Sequence, residues 1–370
     1  MFEDIKNRIE TPCIVVDRII MERNIRKMQS IADQTGTSLR PHIKTHKIGE
    51  YARLQLEYGA KGITCAKVSE AEVMAKAGVD DIFLAYPQVG PYRIERVVSL
   101  SKRIKRLIVG VDSIEGAKML SEQAKSQQCV IEVRLEVDTG AKRTGVQRDI
   151  VEIAKRISCL SGLKLTGIYT FKSLVLGGLS TQDREKAGKE EGLLLSEIAD
   201  NLRKAGVPIQ EISAGSTPTG ENVAATGLVT EIRPGTYIIN DYMLTKERWC
   251  NIEDIAARLM VTVVSTPCEW YAVVDAGTKT IPTDIIVDVD PYHYPGYAIV
   301  EGRPDLRIRR LYEEHGIVES VSGKTGLHVG DVIPLIPIHI CTAINLQNEI
   351  IEYDKGSIRT LKVDARGMLK

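Results

Sequence analysis

The stretch SLRPHIKTHKIGEY (38–51) crowds Arg40, His42, Lys44, His46 and Lys47 into eight positions, with apolar side chains at Leu39 and Ile43. Read as a strand, alternation puts Arg40, His42 and Lys44 on one face and Pro41, Ile43 and Thr45 on the other. If the first face looks into an interior, Lys44 is partly buried beside other cations. Both effects lower an amine's pKa and make it nucleophilic, which is what Schiff-base chemistry requires. The alternative is a solvated basic edge. His46 and Lys47 read either as supports behind the site or, the preferred reading, as charges at the entry to the following helix.

Three further stretches have chemical content. EISAGSTPTG (211–220) ends a β-like run in Gly215, Ser216 and Thr217, small residues that let backbone N–H groups and hydroxyls approach a phosphate. EIRPGTY (231–237) adds Gly235, Thr236 and Tyr237. EVDTGAKRTGV (136–146) offers a tight turn that sends Arg143 over a site, or else a surface arginine at a helix-entry turn. A separate pair lies in PIHICTAI (337–344), where His339 and Cys341, two apart on a strand, project to one side and can chelate one metal. Imidazole with thiolate favours zinc over magnesium or calcium. The other reading is a buried cysteine beside a hydrogen-bonded histidine.

The elements that must position these residues follow a rhythm. β-like runs recur at 39–45, 62–66, 81–86, 105–111, 130–137, 165–170, 209–215 and 228–235, with amphipathic segments between most of them. SEAEVMAKAG (69–78) shows Ser69 as an N-cap, Glu72 three residues on and Gly78 as a stop. Strand then helix eight times over is the count of a (β/α)8 TIM barrel, with a doubly wound open sheet as runner-up. In such a barrel the active site lies at the C-terminal ends of the strands, and phosphate sits after strands seven and eight. That is where Lys44, Gly215 and Gly235 fall. Beyond residue 244, runs such as ARLMVTVVST, WYAVVDAG, TDIIVDV and DVIPLIPIHICTAI read as strands joined by turns, an all-β module. CIVVD (13–17) is one more strand, expected to join it. The expected division is therefore a barrel over 18–243 and a β domain formed by 244–370 with 1–17.

Composition narrows the class. The chain of 370 residues holds 49 Lys+Arg and 49 Asp+Glu, a formal net charge of zero, which argues against a sequence-blind nucleic-acid binder. No apolar run reaches membrane-spanning length and the N-terminus lacks a signal-peptide pattern. The seven scattered cysteines, an odd number, read as reduced thiols in a cytoplasm.

Taken in order, TPCIVVD, SLRPHIKTHK, VSEAEVMAKAGVDDIFLAYP, VDTGAKRTGV, SAGSTPT, IRPGTYIINDY, VDAGTK, EEHG and PIHICTAINL resemble the D-threonine aldolase and D-serine dehydratase family along nearly the whole chain. These are pyridoxal-phosphate enzymes of the alanine racemase-like fold (PLP fold type III). The resemblance implies that Lys44 holds the cofactor, with His42 beside it. It implies that Gly215, Ser216 and Thr217 bind the phosphate with Gly235 and Tyr237, that Arg143 lies near the pyridine face and that Tyr169 lines the cofactor. His339 and Cys341 become the metal pair, for zinc or manganese. It also implies a homodimer and a small D-amino acid as substrate, with neither nucleic acid nor membrane as partner. The activity expected is a metal-dependent, D-threonine aldolase-like cleavage of β-hydroxy D-amino acids to glycine and an aldehyde. The alternatives are D-serine dehydratase chemistry giving a 2-oxo acid, a racemase, or a non-catalytic PLP-binding protein.

One departure stands out. After the sixth strand the family shows Tyr, then His, then Gly-His and a final Tyr. Here Tyr169 is followed by Phe171, Ser173, Leu174 and Leu176. Leu174 cannot move a proton, so either a metal-bound water or Lys172 replaces the family's histidine, or the substrate differs.

Overall fold

The structure, a computed structural model, describes residues 2–370. It divides into two compact units, one built from the chain up to Asn24 with Thr236–Gly367, the other from Ile25–Gly235 with Met368–Lys370. Strand β1 (Cys13–Asp17) opens the first unit, and helix α1 (Arg18–Thr35) runs on into the second.

The second unit alternates strand and helix. Its strands are β2 (Ser38–Leu39), β3 (Ile63–Cys65), β4 (Asp81–Leu84), β5 (Arg106–Val111), β6 (Ile131–Glu136) and β7 (Leu163–Tyr169). After a small hairpin, β8 (Val175–Leu176) and β9 (Leu179–Ser180), come β10 (Glu211–Ala214) and β11 (Glu231–Ile232). The eight main strands form one parallel sheet in the order β2-β11-β10-β7-β6-β5-β4-β3. Its two edges meet where His42 bridges Thr64 and Thr64 N donates to Pro41 O at 2.7 Å, so the sheet curls into a barrel as the eightfold rhythm predicts. Helices such as α2 (Gly49–Glu57), α3 (Val68–Lys76) and α4 (Pro91–Ser101) follow their strands, as do α5 (Ile114–Ser126), α6 (Ile150–Ser158), the long α7 (Arg184–Lys204) and the short α8 (Gly220–Ala224). Each buries its apolar stripe, as in α3, where Val68, Ala71 and Met74 are buried.

The barrel interior is partly ionic. Arg40, buried completely, reaches Glu231 at 2.7 Å and Asp81 at 2.6 Å, and Arg134 reaches Glu231 at 2.5 Å and Glu211 at 2.9 Å. Phe83, Ile108 and Tyr169 pack together nearby, with Arg134 over the Phe83 ring. At Gly110 a Cβ would run into the Tyr169 hydroxyl, so only glycine leaves room for that side chain.

The first unit is mostly antiparallel. After α9 (Tyr242–Lys246) it contains β12 (Ala257–Cys268), β13 (Tyr271–Val274), β14 (Ala298–Val300), β15 (Arg303–Leu311), β16 (Gly316–Ser320) and β17 (Val332–Pro337). These close on themselves, because β13 pairs with both β12 and β16 while β17 pairs with β12 and β14. Strand β1 pairs antiparallel with β12 and parallel with β18 (Glu349–Asp354), which pairs with β19 (Ser357–Lys362), so CIVVD joins the β module as expected. Two expectations are corrected. TDIIVDV (283–289) is irregular, with Ile286 and Val289 exposed and therefore lacking the burial that a strand needs. HICTAI is not a strand continuation, since β17 stops at Pro337 and Ile340–Leu346 form a helix, α10. Among the described residues no helix is long and apolar enough to cross a membrane, and all seven cysteines are free.

Candidate active site

Lys44 stands just past β2 in a 3-10 turn, Ile43–Thr45, and not on the strand itself. Pro41 brings no N–H, and the strand's ladder thins to single bonds from Arg40 N to Ile232 O and from His42 N to Pro234 O. His42 caps the turn, its Nδ1 accepting from Lys44 N at 3.2 Å. The alternation read from the sequence therefore does not hold. Arg40 goes to the ion pairs inside the barrel, while Lys44 extends toward Phe171, 5.6 Å from its ring centre. Arg143 lies on the same ring at 4.5 Å.

His42, Lys44 and Arg143 are thus brought together, and Arg233 joins them. Burial pushes the His42 pKa well below its ordinary value, reinforced by the positive charges of Lys44, Arg233 and Arg143. A neutral imidazole among cations marks a site prepared for an anion. Arg233 escaped the sequence reading, although the IRPG that carries it was in view. Its guanidinium donates to Thr170 O and Ser213 Oγ, both at 2.5 Å.

The loop that bears Lys44 is pinned from behind, and the view of His46 and Lys47 as helix-entry charges is corrected. His46 is completely buried, with Nδ1 accepting from Ile48 N at 3.1 Å and Nε2 3.2 Å from Gln55 Oε1. Burial lowers its pKa to about 4, so it is a neutral support. Lys47 is buried against Glu70 at 3.5 Å.

Past β10, Gly215, Ser216 and Thr217 line a hydroxyl-rich loop. Gly215 has a φ of 84°, where glycine avoids strain, and a Cβ there would press on Gly220. Gly215 N donates to Glu191 Oε1 at 3.1 Å, Thr219 Oγ1 to Glu191 Oε2 at 3.0 Å and Ser216 N to Thr219 Oγ1 at 3.1 Å. Gly235 N donates to Thr217 Oγ1 at 3.2 Å, tying the loops after β10 and β11 together. Burial raises the Glu191 pKa against the lowering pull of these donors. Tyr169 sits deeper, buried, with its hydroxyl donating to Glu136 Oε2 at 3.0 Å and its ring 5.4 Å from Arg233. Lys172 is engaged in an ion pair with Glu190 at 2.8 Å. Tyr237 belongs to the other unit, buried in the 3-10 turn Thr236–Ile238.

A lysine amine, a set of cations and a hydroxyl-rich loop at the same ends of the barrel strands fit the donor set that an aldehyde bearing a phosphate requires.

The β unit holds the second candidate centre. His339 is the N-cap of α10 and Cys341 lies in that helix's first turn, so the pair meets across a helix start and not along a strand. The His339 Nδ1 lies 2.7 Å from Asp284 Oδ2, and Thr342 Oγ1 donates to Asp284 Oδ1 at 3.0 Å. Thr236 Oγ1 is 3.5 Å from Cys341 Sγ. Burial opposes charge on His339, but Cys341, Asp284 and Asp241 outweigh it and push its pKa up to about 11. Among the described residues no three His, Cys, Asp or Glu side chains form a complete cation site. His339 and Cys341 are two donors of the type zinc takes, and any further ligands would have to come from water or substrate. Asp284 was missed because its segment looked like a strand.

Residues 16–242 match the family described as alanine racemase, N-terminal domain, and residues 256–352 match a serine dehydratase domain. The chain is 30% identical to the D-threonine aldolase of an Arthrobacter species over 97% of this chain and 93% of that one. A solved structure of D-threo-3-hydroxyaspartate dehydratase from Delftia sp. HT23 shares 30% identity with a TM-score of 0.87, covering 96% of this chain and 98% of that one. The crystal structure of D-threonine aldolase from Filomicrobium marinum shares 26% identity with a TM-score of 0.85, covering 98% and 97%. The Delftia enzyme has also been solved with a His→Ala and with a Cys→Ala replacement two positions apart, the latter in a metal-free form. The chain therefore belongs to the alanine racemase-like family of lyases that includes D-threonine aldolase and D-threo-3-hydroxyaspartate dehydratase.

Proposed function

We propose that this protein is a PLP- and divalent-metal-dependent lyase of β-hydroxy D-amino acids, cleaving them in the manner of D-threonine aldolase to glycine and an aldehyde. The observation that carries the reading is Lys44, held past the end of β2 among His42, Arg143 and Arg233. Pyridoxal phosphate, when bound, supplies an electron sink for carbanion chemistry at the substrate's α-carbon. Lys44 would hold it covalently through Nζ. Ser216, Thr217 and the backbone around Gly215 and Gly235 would bind its phosphate, with Arg143 and Tyr169 lining its ring. Neutral His42 orients the Lys44 turn and adds no competing charge. His339 and Cys341 would hold zinc or manganese, as the metal-free Cys→Ala form of the Delftia enzyme suggests for that protein.

Phe171, whose ring centre lies 5.6 Å from Lys44 Nζ, and Leu174 offer no proton-transfer group of their own. A dehydratase reading rests on the metal pair, because Cys341 with His339 resembles the His and Cys replaced in the Delftia dehydratase. In that reaction Lys44 Nζ would take the α-proton. A cytoplasmic homodimer completes the proposal, for which the seven free thiols are the support on location.

The test is spectroscopic and chemical. The purified protein with PLP should show the visible absorbance of a lysine-bound cofactor, perturbed by D-threonine or D-serine and not by their L forms, and absent in Lys44→Ala. Glycine among the products selects the aldolase branch and a 2-oxo acid the dehydratase branch. A wild-type protein that never acquires the absorbance sinks the assignment of Lys44.

A further inference from the structure

The segment that departs from its relatives' pattern contains an unusual backbone. Ser173 has a φ of 57°, in the left-handed region where a residue with a Cβ is strained and glycine is not. Such strain persists only where the surroundings enforce it, and it collects at binding sites.

The surroundings here are specific. Glu191 is completely buried, and one of its oxygens accepts from both Lys172 N, at 3.4 Å, and Gly215 N, at 3.1 Å. Its other oxygen accepts from Thr219 Oγ1. One carboxylate thus fixes the residue before Ser173 against the loop that carries Ser216. As a result Ser216 Oγ donates to Ser173 Oγ at 3.3 Å. Ser216 is also 3.0 Å from Thr219 Oγ1, so three hydroxyls adjoin one another. Within this row Ser173 accepts, and its own O–H proton meets no acceptor among the described residues. Ser173 is half-buried, so that proton is left for water or a ligand.

We propose that the Ser173 hydroxyl is an additional hydrogen-bond donor to the phosphate of the cofactor, an arm of the cradle supplied by the β7–β8 loop and held in line with Ser216 by Glu191. This rests on the reading of the site as a PLP site. Glycine at this position would relieve the backbone but lose the donor. The strain is thus the expected consequence of keeping the hydroxyl.

Two probes separate the possibilities: pyridoxal phosphate, and pyridoxal, which lacks the phosphate but still reacts with an amine. Dissociation constants for both are measured by absorbance titration of the wild type, Ser173→Ala and Ser173→Gly, together with the apo-protein Tm. Loss of one hydrogen bond to a charged group predicts ~10-fold weaker PLP binding in both variants. Pyridoxal binding should be unchanged. The apo Tm of Ser173→Gly should be no lower than wild type, which excludes misfolding as the cause. Equal weakening of both probes, or unchanged PLP binding in Ser173→Ala, overturns the proposal while the cofactor reading survives. A wild type that binds neither probe overturns both.

Discussion

At the residue scale, the side chains that touch the candidate centres are no more informative than those behind them. Asp284 is the clearest case. Its contact with His339 Nδ1 at 2.7 Å leaves Nε2 as the nitrogen available to a metal, and Thr342 holds the other carboxylate oxygen in place. Partners of this kind orient an imidazole, and their loss typically costs ~10- to 100-fold in metal affinity. Asp284→Ala should weaken zinc binding by that range. Asp284→Asn, which keeps an oxygen acceptor for Nδ1–H, should weaken it less. Competition against a chromophoric chelator measures both without recourse to turnover, and an Asp284→Ala protein that binds zinc like the wild type would show that His339 is oriented by something else.

At the element scale, the barrel's ionic interior matters more than any single strand. Strands β2 and β11 are only two residues long, so their ladder bonds alone hold little. What ties this part of the barrel together is Glu231, completely enclosed and bonded to Arg40, Arg134 and Ser213. The two arginines lower its pKa well below the ordinary carboxylate value in spite of burial. Removing Glu231 would leave two buried arginines sharing one fewer carboxylate, with only Asp81 for Arg40 and Glu211 for Arg134. Glu231→Ala should therefore cost about 3–5 kcal/mol of stability. A urea unfolding midpoint that hardly moves would mean that water enters to solvate Arg40 and Arg134.

The same scale shows what could be read in the sequence. Each of the eight β-like runs overlaps one barrel strand, the first only at Leu39, because parallel strands buried on both faces are short apolar runs punctuated by helices, a pattern that survives without tertiary knowledge. CIVVD was legible for the same reason. What failed was alternation carried beyond a strand's real end, at Lys44 and again at His339. A proline nearby, Pro41 in one case and Pro337 in the other, precedes the change of conformation. The burial of His46 and Lys47 was illegible, since their partners Gln55 and Glu70 are identified only by the fold. Ser173 was visible as a departure, but its left-handed backbone and its contact with Ser216 were not.

At the scale of the whole molecule, the two candidate centres draw on different compact units. The PLP candidates Lys44, His42, Arg143, Tyr169, Gly215, Ser216, Thr217 and Gly235 lie in the barrel unit, whereas His339, Cys341 and Asp284 lie in the β unit, as does the remaining PLP candidate Tyr237. A ligand that binds only the native state stabilises it by RT ln(1 + [L]/Kd), about 2.7 kcal/mol at a hundredfold excess over Kd. Amides whose exchange requires opening of the occupied site gain that protection. Hydrogen exchange read by mass spectrometry should then give two distinct footprints. PLP alone should slow exchange in 43–47, 170–176 and 213–217, and zinc alone should slow it in 338–346 and around 284. If zinc protects none of 338–346 while protecting the barrel segments, the metal assignment to His339 and Cys341 is wrong. If PLP leaves 213–217 unchanged while protecting 43–47, Lys44 reacts with the aldehyde but the loop after β10 is not where the phosphate sits.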